Sequence, residues 1–126
     1  MTIKHLALLA AVFGLVAADC AVGQETKPPA KGYVVGEIRV TDPATYETFK
    51  AKIAAVVSRY GGRYLVRGGP VRPLEGAAPT GLVIVIEFDS VPQALAFYNS
   101  PEGREASAIR QRSATSRLFV VEGLPR

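Results

Sequence analysis

The chain opens on an unbroken apolar run, Leu6 to Ala18, with Lys4 and His5 before it and the small residues Ala21 and Gly23 after it. Beyond residue 31 the pattern changes to short periods of two and of three to four. In GYVVGEIRVT (32–41), Val34, Ile38 and Val40 share one face of a strand, and Tyr33, Val35, Glu37 and Arg39 share the other. Asp42-Pro43 supplies a helix cap followed by proline at the first helical position. Tyr46, Phe49, Ile53, Val56, Val57 and Tyr60 then recur at helical spacing until Gly61-Gly62 stops them. RYLVR (63–67) predicts a second strand. VRPLEGAAPT (71–80) predicts a loop, because Pro73 and Pro79 cannot donate to a ladder. GLVIVIEF (81–88) is apolar on both faces until Glu87, which predicts a central strand buried on both sides. Ser90 caps a short helix through Tyr98, and Ser100-Pro101 starts another that runs to about Ser113 with Ala106, Ile109 and Arg110. RLFVVE (117–122) is the last strand.

The order is βαββαβ. Packing both helical stretches on one face of a four-stranded antiparallel sheet gives an α+β domain of ferredoxin-like arrangement. Two helices can cover only one face. The uncovered one would carry Tyr33, Val35, Val83 and Val85, and an exposed apolar patch of that kind marks an interaction surface. Two such sheets meeting across a two-fold axis would bury it, so the pattern predicts a homodimer, a dimeric α+β barrel.

The apolar start is too short for a comfortable membrane span of ~20 residues. A basic beginning, an apolar run and an Ala21-x-Gly23 exit make the pattern of a cleavable secretory signal. The expected organisation is a signal peptide over residues 1–23, a Pro-containing tether over 24–31 and one domain over 32–124. A rival reading ends a lipoprotein signal at Cys20, where Asp19 stands in place of the small neutral residue such a signal needs. The expected location is periplasmic or secreted, with no stable membrane span after cleavage.

Composition narrows the chemistry. The 126 residues hold one cysteine, Cys20, and one histidine, His5, and both lie in the leader. The mature chain then offers neither thiolate nor imidazole. That excludes a zinc site, a Cys–His pair and a Ser–His–Asp triad, leaves haem handling without a histidine ligand, and predicts neither metal nor cofactor. The formal charge of +4 is spread along the chain with no basic run. The uncovered face offers valine and glutamate rather than the aromatics and cations of RNA-binding sheets, so no nucleic-acid partner is expected. The glycines at 61, 62, 68 and 69 fit turns and match neither phosphate-binding fingerprint.

The sharpest catalytic candidates are Glu37 and Glu87, which strand parity places on the uncovered face of adjacent central strands. Two carboxylates close together in a partly dry site would push at least one pKa upward, towards a general base. The competing reading pairs each with an arginine. Arg39, Arg63 and Arg67 are candidates for binding an anionic ligand, since guanidinium forks fit carboxylates and phosphates. Tyr33 and Tyr98 are candidates to offer a hydroxyl to it, as is Tyr64. The function expected is binding of a small organic molecule, anionic in one version, with cofactor-free chemistry open. The alternative is a non-catalytic periplasmic binding or stress-protection module.

GGRYLVRGGP (61–70), VIEF (85–88), Ser100-Pro101-Glu102 and VVEG (120–123) together resemble the bacterial domain-of-unknown-function family 1330, over about residues 31–124. The resemblance implies the ferredoxin-like fold and the dimer, and no particular reaction. Related barrel families include cofactor-free monooxygenases, isomerases and haem-handling proteins, an analogy of fold alone. Members of the family often carry an aromatic after the Pro-Glu pair; here that position is Gly103.

Overall fold

Asp42 begins the first helix as its side chain demands: the carboxylate accepts from the Thr45 backbone N–H at 3.2 Å and from the Thr45 hydroxyl at 2.6 Å. The computed structural model describes Gly14 and residues 27–126. The elements are β1 (Gly32–Val40), α1 (Pro43–Arg59), β2 (Arg63–Arg67), β3 (Leu82–Phe88), α2 (Val91–Asn99), α3 (Pro101–Ser113) and β4 (Ala114–Glu122). The expected signal peptide, over residues 1–23, lies outside the described residues apart from Gly14. Among the described residues no helix is long and apolar enough to cross a membrane.

The second helical stretch is two helices. Ser100 sits between them in extended conformation, as a residue before proline must, and its hydroxyl accepts from the Gly103 N–H at 2.9 Å while donating to the Phe97 carbonyl at 2.8 Å. Strand β4 starts three residues earlier than its apolar pattern suggests. Its ladder to β1 runs from Gly32 opposite Glu122 to Val40 opposite Ala114, and pairing draws Ala114, Thr115 and Ser116 into the strand.

The sheet order is β2-β3-β1-β4, with neighbouring strands antiparallel. This is the expected ferredoxin-like α+β fold. The core lies between sheet and helices: Val34, Ile38, Ile86 and Phe88 from the strands meet Phe49, Ile53, Val57, Phe97 and Ala106 from the helices. Phe88 is fully buried, with its ring centre 4.9 Å from that of Phe97. Burying side chains of this size contributes ~1.5–3 kcal/mol each. Gly61, at φ +72°, carries the chain from α1 back toward the sheet in a conformation that side chains resist.

The expectation that β3 is buried on both sides holds for one. Ile86 and Phe88 are buried under the helices, whereas Val83 and Val85 on the opposite face are only half-covered. Among the described residues no helix lies on that side.

Candidate functional site

The helix-free face is ordered by the register. Val85 lies opposite both Val35 and Val66, and Val35 lies opposite Phe119, which makes an apolar row across all four strands. Phe119 is 50% exposed and Val121, beside Tyr33, is 45% exposed. Charged groups flank the row, one toward each end of the central strands. At one end Glu87 takes Arg63 at 3.1 Å, Lys31 at 3.6 Å and the Tyr33 hydroxyl at 3.4 Å. At the other, Glu37 takes Arg117 at 3.0 Å and accepts from the backbone N–H of Thr80 at 3.0 Å.

This arrangement corrects the expected carboxylate pair. Both glutamates face the predicted side, yet Glu37 lies opposite Val83 and Glu87 opposite Tyr33. Four residues of strand separate Val83 from Glu87, about 14 Å at ~3.4 Å per residue. Antiparallel register sets that distance, and parity alone says nothing about it. Nor is the Glu37 pKa raised. The Thr80 N–H, the largest influence, holds its carboxyl below the ordinary glutamate value against desolvation, and Arg117 adds to the lowering. A carboxylate held ionised in that way is a poor general base near neutral pH. Arg39 remains exposed on the same face, bordering a broad polar hollow with Thr80, Thr115 and Arg117.

Arg67 is a second correction. Regular alternation along RYLVR would place Arg67 with Arg63 on the helix-free face. Strand β2 pairs Tyr64 with Ile86 and then Val66 with Val85, so Leu65 is an extra residue in a bulge. One inserted residue reverses parity beyond it. Arg67 therefore sits on the helix side, opposite Ile84, with its guanidinium carbon 4.5 Å from the centre of the Tyr64 ring. Tyr98 also belongs to the helix side, on α2. The structure thus divides the expected residues: Tyr33, Glu37, Arg39, Arg63 and Glu87 on one face, Arg67 and Tyr98 on the other.

The helix side holds what the sequence did not single out. A cleft of about 310 Å³ runs between α1 and the β2–β3 edge. Ile38, Ile53 and Ile84 supply apolar lining; Tyr46, Tyr64 and Arg67 supply polar atoms. Burial raises the pKa of both phenols, opposed in Tyr46 by Arg110 and Arg67 and in Tyr64 by Arg67. Both therefore remain protonated donors at neutral pH. Lys50, at the cleft's edge, pairs with Glu47 at 2.8 Å. The lining includes neither carboxylate nor imidazole.

Behind the cleft a small void of about 30 Å³ is lined by Arg110, Ser107, Tyr98 and Gly103, and it shares Ile38, Ile53, Tyr64 and Ile84 with the cleft. Arg110 is 4% exposed. A signal for it existed: on α3 it falls in register with Ala106, Ser107 and Ser113, the buried stripe of small residues, where an arginine is out of place. Gly103 bears on the void as well. A Cβ there would stand 2.3 Å from the Phe97 carbonyl oxygen and 2.9 Å from the Ser100 hydroxyl, so this backbone admits no aromatic at that position. Among the described residues no group of three or more His, Cys, Asp or Glu side chains is placed to hold a metal ion.

Fold and surface define a ferredoxin-like α+β domain with a sheet face that no described helix covers and, among its hollows, a cleft on the helix side. Residues 31–124 match the domain of unknown function DUF1330, and the chain belongs to that family. No curated protein matches the chain. Among solved structures it is similar to the protein of unknown function RPA0582 of Rhodopseudomonas palustris, at 20% identity over 80% of this chain and 88% of that one, with a TM-score of 0.59. It is also similar to SnoaB, a cofactor-independent oxygenase from Streptomyces nogalater, at 17% identity over 77% and 96% of the two chains, TM-score 0.50. A dimeric protein of unknown function and ferredoxin-like fold from Bacteroides fragilis gives 12% identity, 73% and 95% coverage and a TM-score of 0.50. At these identities the likeness is one of fold.

Proposed function

We propose that this protein is an exported homodimer in which each protomer binds a small organic molecule in the cleft between α1 and the β2–β3 edge. The observation that carries the binding reading is the cleft itself. Its volume of about 310 Å³ lies at the small end of ligand pockets, which run ~300–1,000 Å³. It joins an apolar lining to two phenol donors and a guanidinium, the usual pairing of apolar wall and few convergent polar groups. The dimer reading is supported by the apolar row Val66–Val85–Val35–Phe119 and by the dimeric Bacteroides fragilis neighbour. Export is supported by the leader pattern alone.

With no carboxylate or imidazole in the cleft, no side chain there serves as a general base near neutral pH. The non-catalytic binding module is therefore the better reading. Cofactor-free chemistry in this cleft would depend on a substrate that reacts without proton abstraction by the protein.

The test is a thermal-shift screen of small aromatic and aliphatic compounds, followed by calorimetry on each hit with Arg67→Ala and Arg117→Ala. A hit weakened by Arg67→Ala and indifferent to Arg117→Ala supports the cleft. The reverse pattern moves the site to the hollow beside Glu37. Turnover of a hit in air would return the protein to the enzymes.

A further inference from the structure

Arg110 is a buried cation that no carboxylate among the described residues answers. Its Nε donates to the Ser116 hydroxyl at 3.1 Å and one terminal nitrogen donates to the Ser107 hydroxyl at 3.4 Å. Its guanidinium carbon lies 5.7 Å from the centre of the Phe49 ring. Among the described residues no Asp or Glu oxygen comes within ion-pair distance of it, whereas Arg59, Arg63 and Arg117 each have such a partner. Guanidinium stays charged at any pH a protein meets. Burying such a charge without a counter-ion costs several kcal/mol. Two hydroxyls, a ring face and the C-terminal end of α3 offset part of that cost with partial charges. They leave a net positive charge in the interior and use two of five N–H donors.

The charge borders the void that adjoins the cleft. About 30 Å³ holds roughly two water-sized groups, at ~10–15 Å³ each, which is room for the two oxygens of a carboxylate. The Ser107 hydroxyl and Tyr98 line the same space. Ile38, Ile53, Tyr64 and Ile84 form walls common to the cleft and the void, so the two spaces are neighbours.

We propose that Arg110 is the anion receptor of this cleft and that the ligand class is small organic monocarboxylates. The carboxylate enters the void and accepts from the free N–H groups of Arg110; the apolar body lies against Ile53, Phe49 and Tyr64. Fork geometry favours a planar carboxylate over a neutral amide of the same shape. This rests on the reading of the cleft as the binding site.

The probes are benzoate, phenylacetate and 3-phenylpropionate, each with its primary amide, titrated by calorimetry at pH 7.5 into the full mature chain. The wild-type protein should bind at least one acid 10-fold or more tighter than its amide. Arg110→Gln should bring the acid down to the level of its amide, and Arg110→Lys should keep part of the preference. Circular dichroism reports whether each variant is folded. If Arg110→Gln fails to fold, Ser107→Ala takes its place and should weaken the acid and not the amide. Acid and amide bound equally well by the wild-type protein would overturn the role of Arg110 while leaving the cleft as a site. A preference for the acid that survives Arg110→Gln, or that Ser107→Ala leaves intact in its place, would overturn it too. Failure of every acid and amide to bind would remove the cleft reading and this proposal with it.

Discussion

Glu37 and Glu87 face the same side of the sheet and stand at opposite ends of it, Glu37 opposite Val83 and Glu87 opposite Tyr33. Between them runs the apolar row through Val85 and Val35. The charges on this face thus frame a patch instead of meeting in a site, as expected of a surface with an apolar centre and a polar rim.

Replacing the centre of that patch should undo assembly. Val85→Lys places a charge where Val35 and Val66 flank it. A buried unpaired charge costs several kcal/mol, so the dimer should dissociate at micromolar concentration. Light scattering after gel filtration should give twice the chain mass for the wild type and the single mass for the variant. An unshifted variant would place the contact elsewhere.

Gly103→Ala should destabilise the protein although it lies in a helix. Alanine is ordinarily better there by ~1 kcal/mol. Here the added carbon meets the Phe97 carbonyl oxygen at 2.3 Å, and the α2–α3 junction has to open. The expected loss is ~1–3 kcal/mol, as for other overpacked sites. For a domain of about 100 residues each kcal/mol lowers Tm by ~4–8 °C. A Tm equal to or above that of the wild type would show that the junction yields freely.

Stability should fall in acid through identifiable carboxylates. The Thr80 N–H and Arg117 depress Glu37, the Thr45 hydroxyl and N–H depress Asp42, and Lys31 depresses Asp89. Below the ordinary values of 4.5 for glutamate and 3.8 for aspartate the unfolded chain takes up protons before the folded one does. The stability these groups contribute is therefore complete above those values and is lost as pH drops through the folded pKa values. Urea midpoints measured from pH 7 to pH 3 should decline below about pH 4.5, and less steeply in a Glu37→Gln, Asp42→Asn double variant. Parallel curves for the two proteins would assign the acid sensitivity to other groups.

Export should leave a defined end. The Ala21-x-Gly23 exit places cleavage before Gln24. Intact-mass analysis of protein from its native host should find a chain lacking residues 1–23. A full-length cytoplasmic species would argue against the leader, and a diacylated Cys20 would favour the lipoprotein route.

The sequence by itself determined the elements and the faces of the two central strands. Caps and breakers act over a few residues: Asp42-Pro43 starts α1, Gly61-Gly62 ends it, and Ser100-Pro101 starts α3. A strand's side chains alternate strictly, so Val34 and Ile38 inward implied Tyr33, Glu37 and Arg39 outward. What crosses between elements was decided only in three dimensions. The separation of Glu37 from Glu87 follows from the register between β1 and β3, and no local signal encodes it. Arg67 changed face because Leu65 is extra in the pairing of β2 with β3, a property of two strands together. Arg110 is buried because α3 packs that turn against β4, where Ser116 meets it. That no carboxylate among the described residues pairs with it is visible only in the fold.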